Sequence, residues 1–234
     1  MLPIRDNIPS RRIPIVTVVI IALNVLGFLW ELQLGPRRLE RAFIELAIVP
    51  VRYSIPEIAR SFSPAEQILP FFSSMFLHGG WLHLIGNMWT LWIFGDNVED
   101  RLGRGMYLAF YLASGVVAAL MHIYTNLGSQ MPTIGASGAI AGVMGAYFRF
   151  YPHARVDTVI PPFVFGPYFA LPAVLFLGWW FLLQFFNGAL SLGAEGRGFG
   201  GIAWWAHVGG FVFGVAVSLF ARRPRSAYHD VEVF

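Results

Sequence analysis

Thr133-Ile-Gly-Ala-Ser-Gly-Ala-Ile-Ala-Gly-Val-Met-Gly-Ala-Tyr147 is a run of small residues that opens a hydrophobic helix, with one serine, Ser137, near its start. Gly138, Gly142 and Gly145 recur at helical spacing and so share a face on which another backbone can approach closely. Gly210 and Gly214 form a second small-residue pair, with Gly209 beside them. These faces predict that the two helices pack against neighbours, including each other. The helical pattern from Ser137 to Tyr151 covers about 15 residues. A lipid-exposed span needs roughly 20. A helix this short fits the centre of a bundle, with its start below the membrane surface and facing a wet cavity.

The rest of the chain is equally apolar. Of 234 residues, 56% are hydrophobic and only 12% charged, and the mean hydropathy is +0.61. A soluble domain carries roughly 25% charged residues. The pattern predicts an all-α polytopic membrane protein with six spans: Ile13–Trp30, Leu82–Phe94, Met106–Tyr124, Ser137–Tyr151, Tyr168–Phe186 and Ile202–Ala221. A long, more polar and proline-rich segment, Leu34–Phe72, separates the first two; apolar patches such as Ala42–Val51 predict short interfacial helices within it. Thr125–Thr133 is an uncharged loop and Asn187–Gly201 a glycine-rich one. The chain has no cysteine, so disulfides are excluded and the redox compartment is not legible.

The net charge is +3, and all 16 basic residues are arginines lying between apolar runs. That placement fits orientation in a membrane better than nucleic-acid binding. With both termini cytoplasmic, ten arginines lie inside (5, 11, 12, 101, 104, 149, 155, 222, 223 and 225). Six lie outside (37, 38, 41, 52, 60 and 197), five of them in the long segment. Arg5, Arg11 and Arg12 ahead of Ile13–Trp30 resemble a signal peptide. That run is too long for one and lacks an Ala-x-Ala cleavage site, so it reads as an uncleaved first span. The expected organisation is a cytoplasmic tail over 1–12, a membrane domain over 13–221 and a second cytoplasmic tail over 222–234. Ser137 then lies at the outer end of the fourth helix, with His83 and Asn87 in the outer half of the second and His207 in the outer half of the sixth.

Those polar residues lie in apolar surroundings, where ionisable side chains point to function. His83 and Asn87 are four apart and share a helix face. All five Asp and eight Glu fall at span ends or in loops. A zinc protease would want His-Glu-x-x-His, which is missing. An aspartyl mechanism needs two deep carboxylates, and an ion-coupled transporter usually carries one. Serine, histidine and asparagine remain, suited to a nucleophile, a base and oxyanion donors.

Gly135-Ala-Ser-Gly138, His78-x4-His83-x3-Asn87 and Ala206-His-x-x-Gly210 together resemble the motif set of the rhomboid intramembrane serine proteases, in the six-helix form found in bacteria. Glu99-x-x-x-Gly103, with Arg101 between, is similar to the inner end of that family's second helix. The resemblance spans roughly residues 13–221. It implies Ser137 as nucleophile and His207 as base, in a dyad without an acidic third member. It implies an oxyanion hole of His83, Asn87 and the backbone N–H of Ser137. His78 matches a family position with a structural role. Some members carry an aromatic residue against the catalytic imidazole where this chain has Ala141, which leaves Trp204, one turn before His207, to orient the ring. Trp179 and Trp180 are candidates for lining a lateral gate; Asp96, Glu99 and Arg101 for a structural network. His122 and His153 are expected at the interface.

The implied function is hydrolysis of peptide bonds in or near membrane-spanning helices of other membrane proteins, through an acyl-enzyme at Ser137. Substrates would be single-pass or polytopic membrane proteins in a lipid bilayer, with no metal, no organic cofactor and no nucleic acid. Compactness and arginine bias point to a bacterial plasma membrane, with the site open to the outer side. The rivals are a catalytically inactive relative that grips transmembrane helices and a small transporter. Retention of both Ser137 and His207 argues against the first, and the lack of deep carboxylates against the second.

Overall fold

The computed structural model describes residues 1–159, 168–192 and 203–221. The first strand is β1 (Leu2–Asp6) and the first helix α1 (Ile15–Gln33). The long polar segment folds into α2 (Pro36–Leu46), α3 (Val51–Ser54), α4 (Pro56–Ala59), α5 (Pro64–Ile68), α6 (Pro70–Ser73) and a 3-10 turn, Ser74–Phe76. The bundle continues with α7 (Trp81–Leu102), α8 (Arg104–Thr125) and α9 (Ser137–Phe150). Strands β2 (Arg155–Val159) and β3 (Phe169–Pro172) then precede α10 (Ala173–Leu192) and α11 (Trp204–Phe220). Helices α1, α8 and α10 are each long and apolar enough to cross a membrane, and α7 qualifies together with Pro64–Phe76 across an 82° bend. The chain is thus a helical, polytopic integral membrane protein.

Several boundaries differ from the sequence reading. Helix α7 runs on from Phe94 through Asp96, Glu99 and Asp100 to Leu102. Its stop is Gly103, whose φ of 77° is an easy conformation only for glycine. Helix α10 starts at Ala173 rather than near Tyr168, because Phe169–Pro172 is a strand, and it absorbs Asn187–Leu192 from the expected loop. The remainder of that loop with Arg197, and the tail with Arg222, Arg223 and Arg225, lie outside the described residues.

The first residues, read as a plain tail, form β1. It pairs antiparallel with β2, and β2 with β3. Arg5 bridges to Asp157 at 2.8 Å. Trp89 Nε1, on α7, donates to the Pro3 carbonyl at 2.7 Å. The Asp6 carboxylate accepts from the Tyr147 hydroxyl on α9 and from Asn97 Nδ2 on α7, the latter at 3.1 Å. Loss of hydration pushes the Asp6 carboxyl up to about 6. The sheet thus ties together one end of α7 and α9.

Carboxylates at helix ends have structural duties. Helix α1 starts after Pro14 with no side-chain cap of its own. Glu99, 3% exposed, replaces it: its oxygens accept from the backbone N–H groups of Val16 at 3.0 Å and Thr17 at 2.8 Å, and from the Thr17 hydroxyl at 2.8 Å. A buried anion there meets unpaired N–H groups and the positive end of the helix dipole. Arg101 lies over the Phe150 ring, 5.0 Å from its centroid. At the other end of α1, Glu31 accepts the backbone N–H of His78 at 3.0 Å.

Helix α9 is the core of the bundle; every residue from Ala139 to Tyr147 is buried. Its glycine face meets that of α11 directly. A Cβ on Gly210 would overlap the Gly138 carbonyl oxygen, and one on Gly214 would overlap that of Gly142. Both contacts have the same sequence offset, so α9 and α11 run in the same direction. That shared direction sets the start of α11 beside the start of α9.

Candidate active site

Ser137 is the first residue of α9, where three or four backbone N–H groups have no partner within the helix. The turn before it is fixed at Gly135, whose φ of 117° suits glycine, and whose N–H donates to the Ser74 carbonyl at 2.8 Å. His207 stands in the first turn of α11. The two side chains meet: Ser137 Oγ and His207 Nε2 are 2.8 Å apart. Such a pair can pass a proton from oxygen to nitrogen as the oxygen attacks an electrophile.

The other ring nitrogen also has a partner. His207 Nδ1 lies 2.8 Å from Gln184 Oε1 on α10. One turn earlier on the same helix face, Trp180 flanks the imidazole, with centroids 5.8 Å apart and planes tilted by 37°. The sequence reading offered Trp204 for this place. On Gly188 it is the neighbouring Trp205 whose indole packs, its Nε1 donating to the Gly188 carbonyl at 3.0 Å, with only the Trp204 Cβ beside it. Ala141 is small for a clear reason: the backbone of α11 crosses there, and a Cβ on Gly210 would be 3.3 Å from the Ala141 methyl. The ring that faces His207 therefore comes from α10. Trp179, the other candidate gate residue, points outward and is exposed. Gln184 was readable in one respect: it is the only carboxamide in the apolar run Tyr168–Phe186.

His83 and Asn87, on α7, border the turn that leads into Ser137. A Cβ on Gly135 would lie 2.6 Å from His83 Nε2 and 3.5 Å from Asn87 Nδ2. The glycine lets the backbone pass against both side chains. Asn87 Nδ2 is also 3.0 Å from His78 Nε2, and His78 packs edge-on against His83 with centroids 5.0 Å apart. His78 thus holds Asn87 from behind.

The loop before α9 is fastened to the long polar segment. Ile48 and Thr133 form a two-bond bridge, and Val51 N–H donates to the Ser129 carbonyl at 2.9 Å. His122, expected at the interface, bonds the Thr133 hydroxyl through Nε2 at 2.7 Å, while His153 lies exposed in the turn before β2. Within the polar segment, buried Arg52 donates to the carbonyls of Ile44 and, at 3.3 Å, Glu66, and covers the Phe62 ring at 4.0 Å. A guanidinium at the C-terminal end of α2 is favoured by the carbonyls left free there.

Residues 65–224 match the family model described as Rhomboid domain. The human presenilin-associated rhomboid-like protein, mitochondrial, is 30% identical over 209 residues, covering 84% of this chain and 45% of its own length. Rhomboid protein 1, mitochondrial, of Saccharomyces cerevisiae is 28% identical over 148 residues, covering 61% of this chain and 38% of its own length. RHOMBOID-like protein 5 of Arabidopsis thaliana is 38% identical over 74 residues, covering 32% and 24%. The chain spans less than half the length of these relatives.

Proposed function

The chain belongs to the rhomboid family, and from that premise we propose that it is an intramembrane serine endopeptidase. The observation that carries this reading is the 2.8 Å approach of Ser137 Oγ to His207 Nε2 at the N-terminus of a buried helix. His207 Nε2 takes the hydroxyl proton as Ser137 Oγ attacks the scissile carbonyl carbon. The resulting oxyanion is stabilised by the Ser137 N–H, His83 and Asn87, with the positive end of the α9 dipole behind them. Collapse breaks the C–N bond, and the leaving amine takes the proton back from Nε2. Water then attacks the Ser137 ester, giving its proton to His207. Loss of the acid product returns that proton to Ser137 Oγ.

The substrates are membrane-spanning segments of single-pass or polytopic proteins, locally unwound so that a peptide carbonyl reaches Ser137. Arginine placement supports both termini on the cytoplasmic side, with the site open to the opposite side. We retain a bacterial plasma membrane as the location; a mitochondrial membrane, as in the names of the human and yeast relatives, is the competing one. Reporter fusions at each terminus and fractionation separate them.

The test of function is cleavage of single-span substrates by the protein reconstituted in liposomes. Ser137→Ala should abolish product while leaving the thermal transition nearly unchanged, and His207→Ala should abolish product in a protein that still folds, with a lowered transition because the buried Gln184 amide loses its partner. Product formation by Ser137→Ala would overturn the mechanism. Binding of substrates without cleavage by the unaltered protein would support the inactive-relative reading instead.

A further inference from the structure

We propose that Gln184 is a third member of the site, a positioning residue whose amide oxygen accepts the His207 Nδ1–H and so turns the Nε2 lone pair toward Ser137. This rests on the serine-protease reading above. A neutral imidazole carries one N–H, and only the Nδ1–H tautomer can accept the serine proton at Nε2. Gln184 Oε1 is an acceptor only. Facing Nδ1 at 2.8 Å, it is satisfied by that tautomer and would oppose a bare nitrogen in the other one.

The placement of Gln184 has no packing rationale. It is 7% exposed on a helix whose neighbouring side chains, Leu182, Leu183, Phe185 and Phe186, point outward into apolar surroundings. An amide removed from water there is costly unless it is hydrogen-bonded, and the bond it makes is to His207. A carboxylate at this position would do the same work with charge, as in the serine-histidine-aspartate arrangement. The amide holds the ring without burying an anion. Trp180, four residues earlier, limits ring rotation from the same face. Among the described residues, the polar side chains in contact with His207 are Ser137 on α9 and Gln184 on α10, with the Trp180 ring beside them, and the titratable groups that act on it at longer range are His83 on α7 and His122 on α8.

The experiment compares wild type, Gln184→Leu, Gln184→Glu and Ser137→Ala in liposomes with a single-span substrate, following kcat, KM and the pH profile. Gln184→Leu should lower kcat by about 10–100-fold with KM unchanged, by analogy with the loss of a partner that orients a metal-bound histidine. Gln184→Glu keeps an acceptor, so it should retain activity. Its carboxylate favours the imidazolium, so the acid limb of the profile should move to higher pH by about one unit or more. A Gln184→Leu protein with wild-type kcat, or a Gln184→Glu protein with an unmoved acid limb, overturns the proposal. If Gln184→Leu fails to fold, the Gln184→Glu profile alone decides. An inactive Ser137→Ala beside a fully active Gln184→Leu would remove Gln184 and leave the protease reading standing. A Ser137→Ala that still cleaves, or a wild type inert to every substrate, would overturn both.

Discussion

Gly214 on α11 faces Gly142 on α9 with no space for a side chain, since a Cβ on Gly214 would overlap the Gly142 carbonyl oxygen. This crossing sets the distance between the two helices and the height at which His207 meets Ser137. Gly214→Val should force the helices apart. Overpacking of this kind costs about 1–3 kcal/mol, and more where backbone must move. The expected outcome is a lower melting temperature in detergent and a loss of cleavage larger than the loss of folded protein. Wild-type stability in Gly214→Val would mean that the helices do not approach this closely.

Glu99 and Thr17 make a comparable prediction away from the site. The carboxylate caps the first turn of α1 with two backbone bonds and one hydroxyl bond. Glu99→Ala leaves those N–H groups buried and unpaired, at about 1–3 kcal/mol for each unsatisfied group. Thr17→Val removes the hydroxyl that bonds Glu99 at 2.8 Å and Tyr107 at 3.2 Å but leaves both backbone bonds to Glu99 in place, so it should cost less, about 1–2 kcal/mol. Glu99→Ala should lower the unfolding midpoint in detergent and speed amide exchange at the start of α1. Equal midpoints for Glu99→Ala and Thr17→Val would mean that the backbone bonds contribute nothing.

What was legible in the sequence follows from what is local. The helices α1, α8, α9 and α11, the small-residue faces of α9 and α11, and the start of α9 at Ser137 all follow from hydropathy and spacing within one stretch. The β-sheet was not legible, because β1 finds its partner about 150 residues away, at Arg155–Val159. Five residues with two prolines nearby carry no alternation strong enough to announce a strand. Hydropathy alone ends the second span at Phe94 because the charged end of α7, Asp96 to Arg101, looks like a loop until its partners on α1 and the N-terminal strand are known. At the site, Ser137, His83, Asn87 and His207 stood out as polar residues in apolar runs. Gln184 carried the same signal but had no motif around it, and its partner lies across 23 residues that include the glycine-rich loop.

Asp6 should make the attachment of β1 depend on pH. Its carboxyl is pushed up to about 6 in the folded chain by burial, against an ordinary value of 3.8. An acid raised on folding binds more protons folded than unfolded between those two values. Stability therefore falls as pH rises from about 4 to 6, and the penalty is fully present above 6. The two-unit rise corresponds to about 3 kcal/mol at most. Amide exchange in Leu2–Asp6 should be slower at pH 5 than at pH 7.5, after correction for intrinsic exchange. Asp6→Asn, which keeps an acceptor for Tyr147 and cannot titrate, should flatten that difference. The same pH response in Asp6→Asn would assign the effect to Asp96 or another carboxyl.

His78 and Asn87 allow a test of how the proposed oxyanion donors are held. Asn87 Nδ2 lies 3.0 Å from His78 Nε2, a bond that leaves its second N–H free for a developing oxyanion. If Asn87 is a direct donor, Asn87→Ala should lower kcat by about 10²–10³-fold with little change in KM. His78→Phe keeps a ring of similar size against His83 but removes the bond that orients the amide. It should lower kcat by about 10-fold, in the range expected for an orienting partner. The double variant decides between independent and serial action. If His78 acts only by orienting Asn87, His78→Phe should have no further effect once Asn87 is alanine, and the coupling should equal the whole effect of His78→Phe. Strictly multiplicative losses in the double variant would show that His78 acts on the reaction by a separate route.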